Sequence, residues 1–135
     1  MQQADLLYVT ESGLGGRGVF TAAPIAEGAV IEICPVIVLD GEDRMQLDQT
    51  ELYNYYFLWG EKEDKCAIAL GYGSLYNHSF QPNARYLADF AADNLHFVTI
   101  KDIEAGEEIT VNYNGNPKIQ KKLWFQAKRR RQGQR

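Results

Sequence analysis

The sequence predicts a mostly β domain with one insert helix and one C-terminal helix. Three observations predict it. Twelve glycines and four prolines punctuate the 135 residues at short intervals. Between them lie short runs rich in β-branched and aromatic residues, the composition of strands. Two stretches space their apolar residues for a helix instead.

Taken in order, strands are expected at residues 6–10, 17–21, 29–33, 36–39, 66–70, 85–87, 95–100 and 109–113. Residues 42–53 set Met45, Leu47 and Leu52 among polar residues and read as the insert helix. Residues 117–130 open with Pro117 and carry Ile119, Leu123 and Ala127 at four-residue spacing, the form of a helix with proline in its first turn. A weak internal echo joins two turns. Ile25-Ala26-Glu27-Gly28-Ala29-Val30-Ile31 resembles Ile103-Glu104-Ala105-Gly106-Glu107-Glu108-Ile109. Polar turns before strands often look alike; alternatively the two are equivalent corners of a folded-over sheet.

The chain suffices for one domain, and its 45% apolar content can fill one core. No run approaches the roughly 18 apolar residues of a membrane helix. The start, Met1-Gln2-Gln3-Ala4-Asp5, shows no basic region leading into an apolar one, so no secretory leader is expected. Cytoplasm or nucleus is the compartment this implies, with no membrane partner. Cys34 and Cys66 stand apart from other ligand residues, which argues for buried free thiols and no metal site.

Charge is unevenly placed. Residues 1–117 hold all 18 acidic residues and 6 basic ones, a net of −12, while residues 118–135 hold eight basic residues, +8. An acidic body favours a cationic partner. The basic segment Lys128-Arg129-Arg130-Arg131 could touch nucleic acid weakly, but beside −12 it does not make a nucleic-acid protein.

Three segments carry chemistry. Leu14-Gly15-Gly16-Arg17-Gly18-Val19-Phe20 lets backbone approach a ligand closely, or simply turns a hairpin. It lacks the Lys-Ser/Thr of a phosphate loop and leads into a strand rather than a helix. Tyr76-Asn77-His78-Ser79-Phe80-Gln81-Pro82-Asn83 suits a tight, hydrogen-bonded loop. Ser79 with His78 as a hydrolase pair is disfavoured, because adjacent residues rarely face each other and no nucleophile elbow surrounds Ser79. His96, alone in a strand, reads as structural or surface. In Gly106-Glu107-Glu108-Ile109-Thr110-Val111-Asn112-Tyr113 the neighbouring carboxylates should point to opposite faces, so they do not form an acid–base pair.

In this order, the segments Gly16-Arg17-Gly18-Val19-Phe20, Asn77 to Asn83 and Gly106 to Tyr113 resemble the SET-domain lysine methyltransferases. The resemblance runs from about residue 6 to residue 125 and is nearest to the compact viral and bacterial type, without zinc-binding flanks. It implies the SET (β-clip) fold: small curved sheets with a C-terminal pseudoknot that sets residues 77–83 beside residues 110–113. It divides the chain into a SET domain, 1–117, and a short basic C-terminal segment, 118–135.

The resemblance also implies an S-adenosylmethionine cofactor and methyl transfer to a protein lysine, plausibly on a histone-like basic tail. By it, the backbone of Gly16, Arg17 and Gly18 and the side chain of Asn77 hold the cofactor's methionine end. His78 meets the adenine chiefly through its backbone. Tyr113 matches the family's catalytic tyrosine, and Tyr86 a channel aromatic. Tyr55 takes an active-site tyrosine position for which Tyr56 competes. Where many relatives carry a zinc-binding cysteine cluster, Asn114-Gly115-Asn116-Pro117 follows here. Trp124, with Phe125, then either stacks on the adenine or docks the last helix. Cys34 stands where some relatives have a tyrosine, which leaves the degree of methylation open. A channel completed by a second copy would make a homodimer. The alternative function is a catalytically weak SET-like module that only binds a peptide. Joint retention of Asn77, His78 and Tyr113 argues against it.

Overall fold

A computed structural model describes residues 2–114. The expected helix at 117–130, the segment 118–135 and Trp124 lie outside the described residues. The elements are β1 (Gln2–Gln3), β2 (Leu7–Glu11), β3 (Arg17–Thr21), β4 (Val30–Leu39), α1 (Gly41–Leu47), β5 (Phe57–Trp59), β6 (Lys65–Ala69), β7 (Asn77–His78), β8 (Ala84–Asp89), β9 (Asn94–Thr99) and β10 (Glu108–Val111). They form two sheets. One runs β5-β6-β4-β9-β8 with β1 added alongside β4, and the other runs β2-β3-β10-β7.

Period-two patterning sets the sheet faces. In β9, Leu95, Phe97 and Thr99 are buried while their neighbours are half-buried. β2 and β3 form a hairpin in register from Leu7↔Thr21 to Glu11↔Arg17. Its loop is closed by Ser12 N–H donating to Gly16 O at 2.9 Å, with Gly15 and Gly16 at φ of 112° and 63°. Those angles favour glycine, which has no Cβ to clash.

The strands expected at 29–33 and 36–39 are one strand. β4 passes straight through Pro35 and changes partner there. Up to Pro35 it pairs with β9, and from Val36 onward with β6. Proline cannot donate to a ladder, so the change of partner is where it costs least. The helix expected at 42–53 is shorter. α1 ends at Leu47, and a separate 3-10 turn covers Glu51–Asn54, capped by Thr50 accepting from Leu52 N–H at 3.2 Å. Neither piece buries a residue, and Met45 is 69% exposed. Without a buried face, the Asp48-Gln49-Thr50 interruption goes uncorrected, since helix stability comes mainly from packing.

The echo between two turns is structural. Ile25 and Ile103 bridge antiparallel, exchanging two 2.8 Å backbone hydrogen bonds. Gly28 and Gly106 turn both corners with nearly equal φ, 88° and 84°. The core lies between the sheets and includes Val19, Ile31, Cys34, Ala67, Leu95, Phe97, Ile103, Ile109 and Val111. Cys34 and Cys66 are buried free thiols. Among the described residues, no helix is long and apolar enough to cross a membrane.

Candidate active site

The site begins with β10. It pairs antiparallel with β3 on one edge and parallel with β7 on the other, Thr110↔Asn77 and Val111↔His78. Ser79 N–H donates to Val111 O at 2.9 Å. Asn83, 6% exposed, clamps the same strand: its Oδ1 accepts from Thr110 N–H at 2.9 Å and its Nδ2 donates to Glu108 O at 2.8 Å. Residues 77–83 and 110–113 therefore lie side by side, the placement expected of a pseudoknot.

This placement joins the predicted cofactor and catalytic residues. His78 Nδ1 accepts from Tyr113 N–H at 3.0 Å, and the two rings lie 5.3 Å apart. The His78 side chain thus positions Tyr113, beyond the backbone role expected of it. Tyr113 hydroxyl donates to Tyr76 O at 2.5 Å, and Tyr86 hydroxyl donates to Tyr113 O at 3.1 Å. Tyr86 belongs to an aromatic cluster. Phe57 meets it edge-on at 5.0 Å, and Phe97 lies 6.1 Å away and stacks on Tyr76 at 4.2 Å. Such pairs contribute about 0.5–1.5 kcal/mol beyond burial. Burial, with the Glu63 charge adding, pushes the Tyr86 phenol up to about 12, so it stays neutral at physiological pH.

Of the three adjacent aromatics at 55–57, Phe57 packs edge-on against Tyr86. Tyr56 hydroxyl is engaged with the insert: it donates to Asp48 Oδ1 at 2.6 Å and accepts from Arg44 Nε at 3.2 Å. Tyr55 is half-buried at the end of the 3-10 turn, with its N–H bonded to Leu52 O. Phe57 and Tyr76 were not singled out as site residues. The signal available was adjacency: Phe57 sits in the aromatic run and Tyr76 directly precedes Asn77.

At the other end of β7, Asn77 is 1% exposed. Its Nδ2 donates to Arg17 O at 2.9 Å and to Glu108 Oε2 at 2.7 Å. Both partners are pure acceptors, so the amide can present only its nitrogen to them. Its Oδ1 is therefore turned the other way, buried and without a hydrogen-bond partner among the described residues. Such an orphan costs about 1–3 kcal/mol unless a donor meets it. Gly18 is packed against this group: a Cβ there would overlap Glu108 Oε2 and lie 2.8 Å from Asn77 Nδ2. Ser79 Oγ accepts from Gln81 N–H at 2.9 Å, a turn-closing role unlike a nucleophile's.

Beneath Tyr76 lies a buried carboxylate the sequence did not flag. Glu32, 1% exposed, accepts from Tyr76 hydroxyl at 2.6 Å, Gln3 Nε2 at 2.8 Å and Tyr72 N–H at 2.9 Å. Burial drives the neighbouring Cys34 thiol upward, and the Glu32 charge adds to the shift. Gly73 covers Cys34, 3.0 Å from its sulfur for any added Cβ.

Comparison with known proteins decides the family. The SET domain pattern matches residues 16–114. The chain belongs to the SET-domain family. A Schizosaccharomyces pombe histone-lysine N-methyltransferase, H3 lysine-37 specific, is 33% identical over 121 residues, covering 89% of this chain and 77% of the relative. A Plasmodium falciparum chain described as a histone methyltransferase is 30% identical with a TM-score of 0.64, over 84% of this chain and 95% of that one. A humanized mutant of Chaetomium thermophilum Polycomb Repressive Complex 2 shares the fold at TM-score 0.71, with 22% identity over 84% of this chain and 15% of that one. This SET domain is a protein-lysine methyltransferase, of a family that uses S-adenosylmethionine.

Proposed function

We propose that this SET domain methylates a lysine in a basic protein segment of the histone class, in the cytoplasm or nucleus. The observation that supports the reading is the β7–β10 pair, which sets Asn77 beside Thr110 and His78 beside Val111, with His78 Nδ1 accepting from Tyr113 N–H at 3.0 Å. The unpartnered Asn77 Oδ1 fits the ammonium of S-adenosylmethionine. The backbone of Gly16, Arg17 and Gly18 would hold the same end, with His78 at the adenine and Trp124 either covering it or docking the last helix. When bound, the cofactor supplies a methyl group activated on a sulfonium.

The chain's own residues supply alignment and a dry channel. Phe57 and Tyr86 form apolar walls for a lysine stem, and Tyr55 is the third candidate wall. A free lysine amine has a pKa near 10.4 and must lose its proton before it can react. Desolvation by these aromatics lowers that value. Tyr113 orients the amine lone pair through its hydroxyl, which Tyr76 O already holds in one direction. It acts as an orienting group and not as an obligatory base.

The test is to incubate the full chain with methyl-labelled S-adenosylmethionine and core histones, then map the labelled residue by mass spectrometry. Label on a histone lysine is the expected result. Label confined to other basic proteins would overturn the histone assignment, and label on no protein would overturn the proposed transfer.

A further inference from the structure

The glycine loop and β10 are joined by a relay through Ser12 and Glu108, two residues to which the proposed chemistry assigns no role. Ser12 Oγ donates to Glu108 Oε1 at 2.7 Å, and Glu108 Oε2 accepts from Asn77 Nδ2 at 2.7 Å. Ser12 also closes the loop, accepting from Leu14 N–H at 2.9 Å through the same Oγ. Both Glu108 oxygens are thus committed within the protein. The consequence falls on Asn77. With Arg17 O on one side and Glu108 on the other, rotating its amide by half a turn would set oxygen against two acceptors.

We infer that Glu108 is a positioning residue that locks the Asn77 carbonyl toward the amino-acid end of the cofactor, making the site selective for ligands that carry an α-ammonium donor. The inference rests on the cofactor reading above. It requires an acceptor at position 108 rather than a charge. Glutamine could present its oxygen to Asn77 Nδ2 and its nitrogen to Ser12 Oγ, keeping the relay intact. Leucine has similar bulk and no acceptor.

The test measures equilibrium binding of two ligands, S-adenosylhomocysteine and 5′-methylthioadenosine, which lacks the amino-acid end. Glu108→Leu should weaken the first by about tenfold, the scale of one lost hydrogen bond, and leave the second unchanged. Glu108→Gln should restore the wild-type affinity. Ser12→Ala, a milder change on an exposed-edge loop, should weaken the first ligand alone by roughly threefold. Equal weakening of both ligands in these variants would overturn the inference, as would a Gln variant as weak as Leu. A wild-type chain that binds neither ligand would overturn the cofactor reading itself, and this inference with it.

Discussion

The phenol of Tyr86 is held at about 12 by burial, with the Glu63 charge adding. The sign follows from its neutral form being the one the folded state favours. Its contribution to stability is complete below the unfolded value near 10 and disappears as pH climbs through about 12. Between pH 7 and 9 it does not ionise, so turnover is expected to rise with pH through deprotonation of the substrate amine alone. Tyr86→Phe should keep the shape of that pH–rate profile and soften the alkaline loss of stability. A shifted inflection in the profile would show that Tyr86 titrates in the reaction. Gly18 makes a second prediction at this scale. Gly18→Ala drives a methyl into the Glu108–Asn77 pair. It should cost about 1–3 kcal/mol in urea unfolding, the range for overpacking, and lower cofactor affinity. A variant of wild-type stability would mean that the carboxylate yields freely.

At the scale of elements, Asn83 ties two backbone groups of β10, and its removal tests the clamp. Asn83→Ala leaves the Thr110 N–H and the Glu108 C=O without their partner. Each unsatisfied buried group costs about 1–3 kcal/mol, so a loss of several kcal/mol by denaturant titration is expected. Elements with strong alternation or turn chemistry were legible in the sequence, β3, β8 and β9 among them. β1 and β7 were not, because two-residue strands carry no periodicity and exist through their partners. Pro35 hid the continuity of β4, since a proline ordinarily marks a strand's edge. Residues 42–53 looked amphipathic, but the stripe is not buried: Met45 and Leu52 are exposed and Leu47 is only half-buried. In the site, ordered motifs named Asn77, His78, Tyr86 and Tyr113. They could not name Ser12, whose bond to Glu108 spans 96 residues, nor distinguish Phe57 from its tyrosine neighbours.

For the whole molecule, two features act together. The matched corners at Ile25 and Ile103 bridge antiparallel, and Ile25, Ile31, Ile103 and Ile109 belong to one core, which ties the starts of β4 and β10 together. Around them, residues 1–117 carry −12. A field of that sign would favour the proposed basic segment and would weaken as ions screen it, over a Debye length of about 10 Å at 0.1 M salt. The KM for a basic peptide should rise several-fold between low and physiological salt with kcat nearly constant. A KM indifferent to salt would remove electrostatic attraction from the account. The central claim is that Asn77 and Tyr113 serve two different steps of one site. Its most direct measurement is a pair of titrations and turnover assays on Asn77→Ala and Tyr113→Phe. The account predicts that Tyr113→Phe loses at least about tenfold in kcat with cofactor affinity intact, the worth of one hydrogen bond made in the transition state. Asn77→Ala should lose cofactor affinity first. Full activity in Tyr113→Phe, or unchanged cofactor affinity in Asn77→Ala, would contradict it.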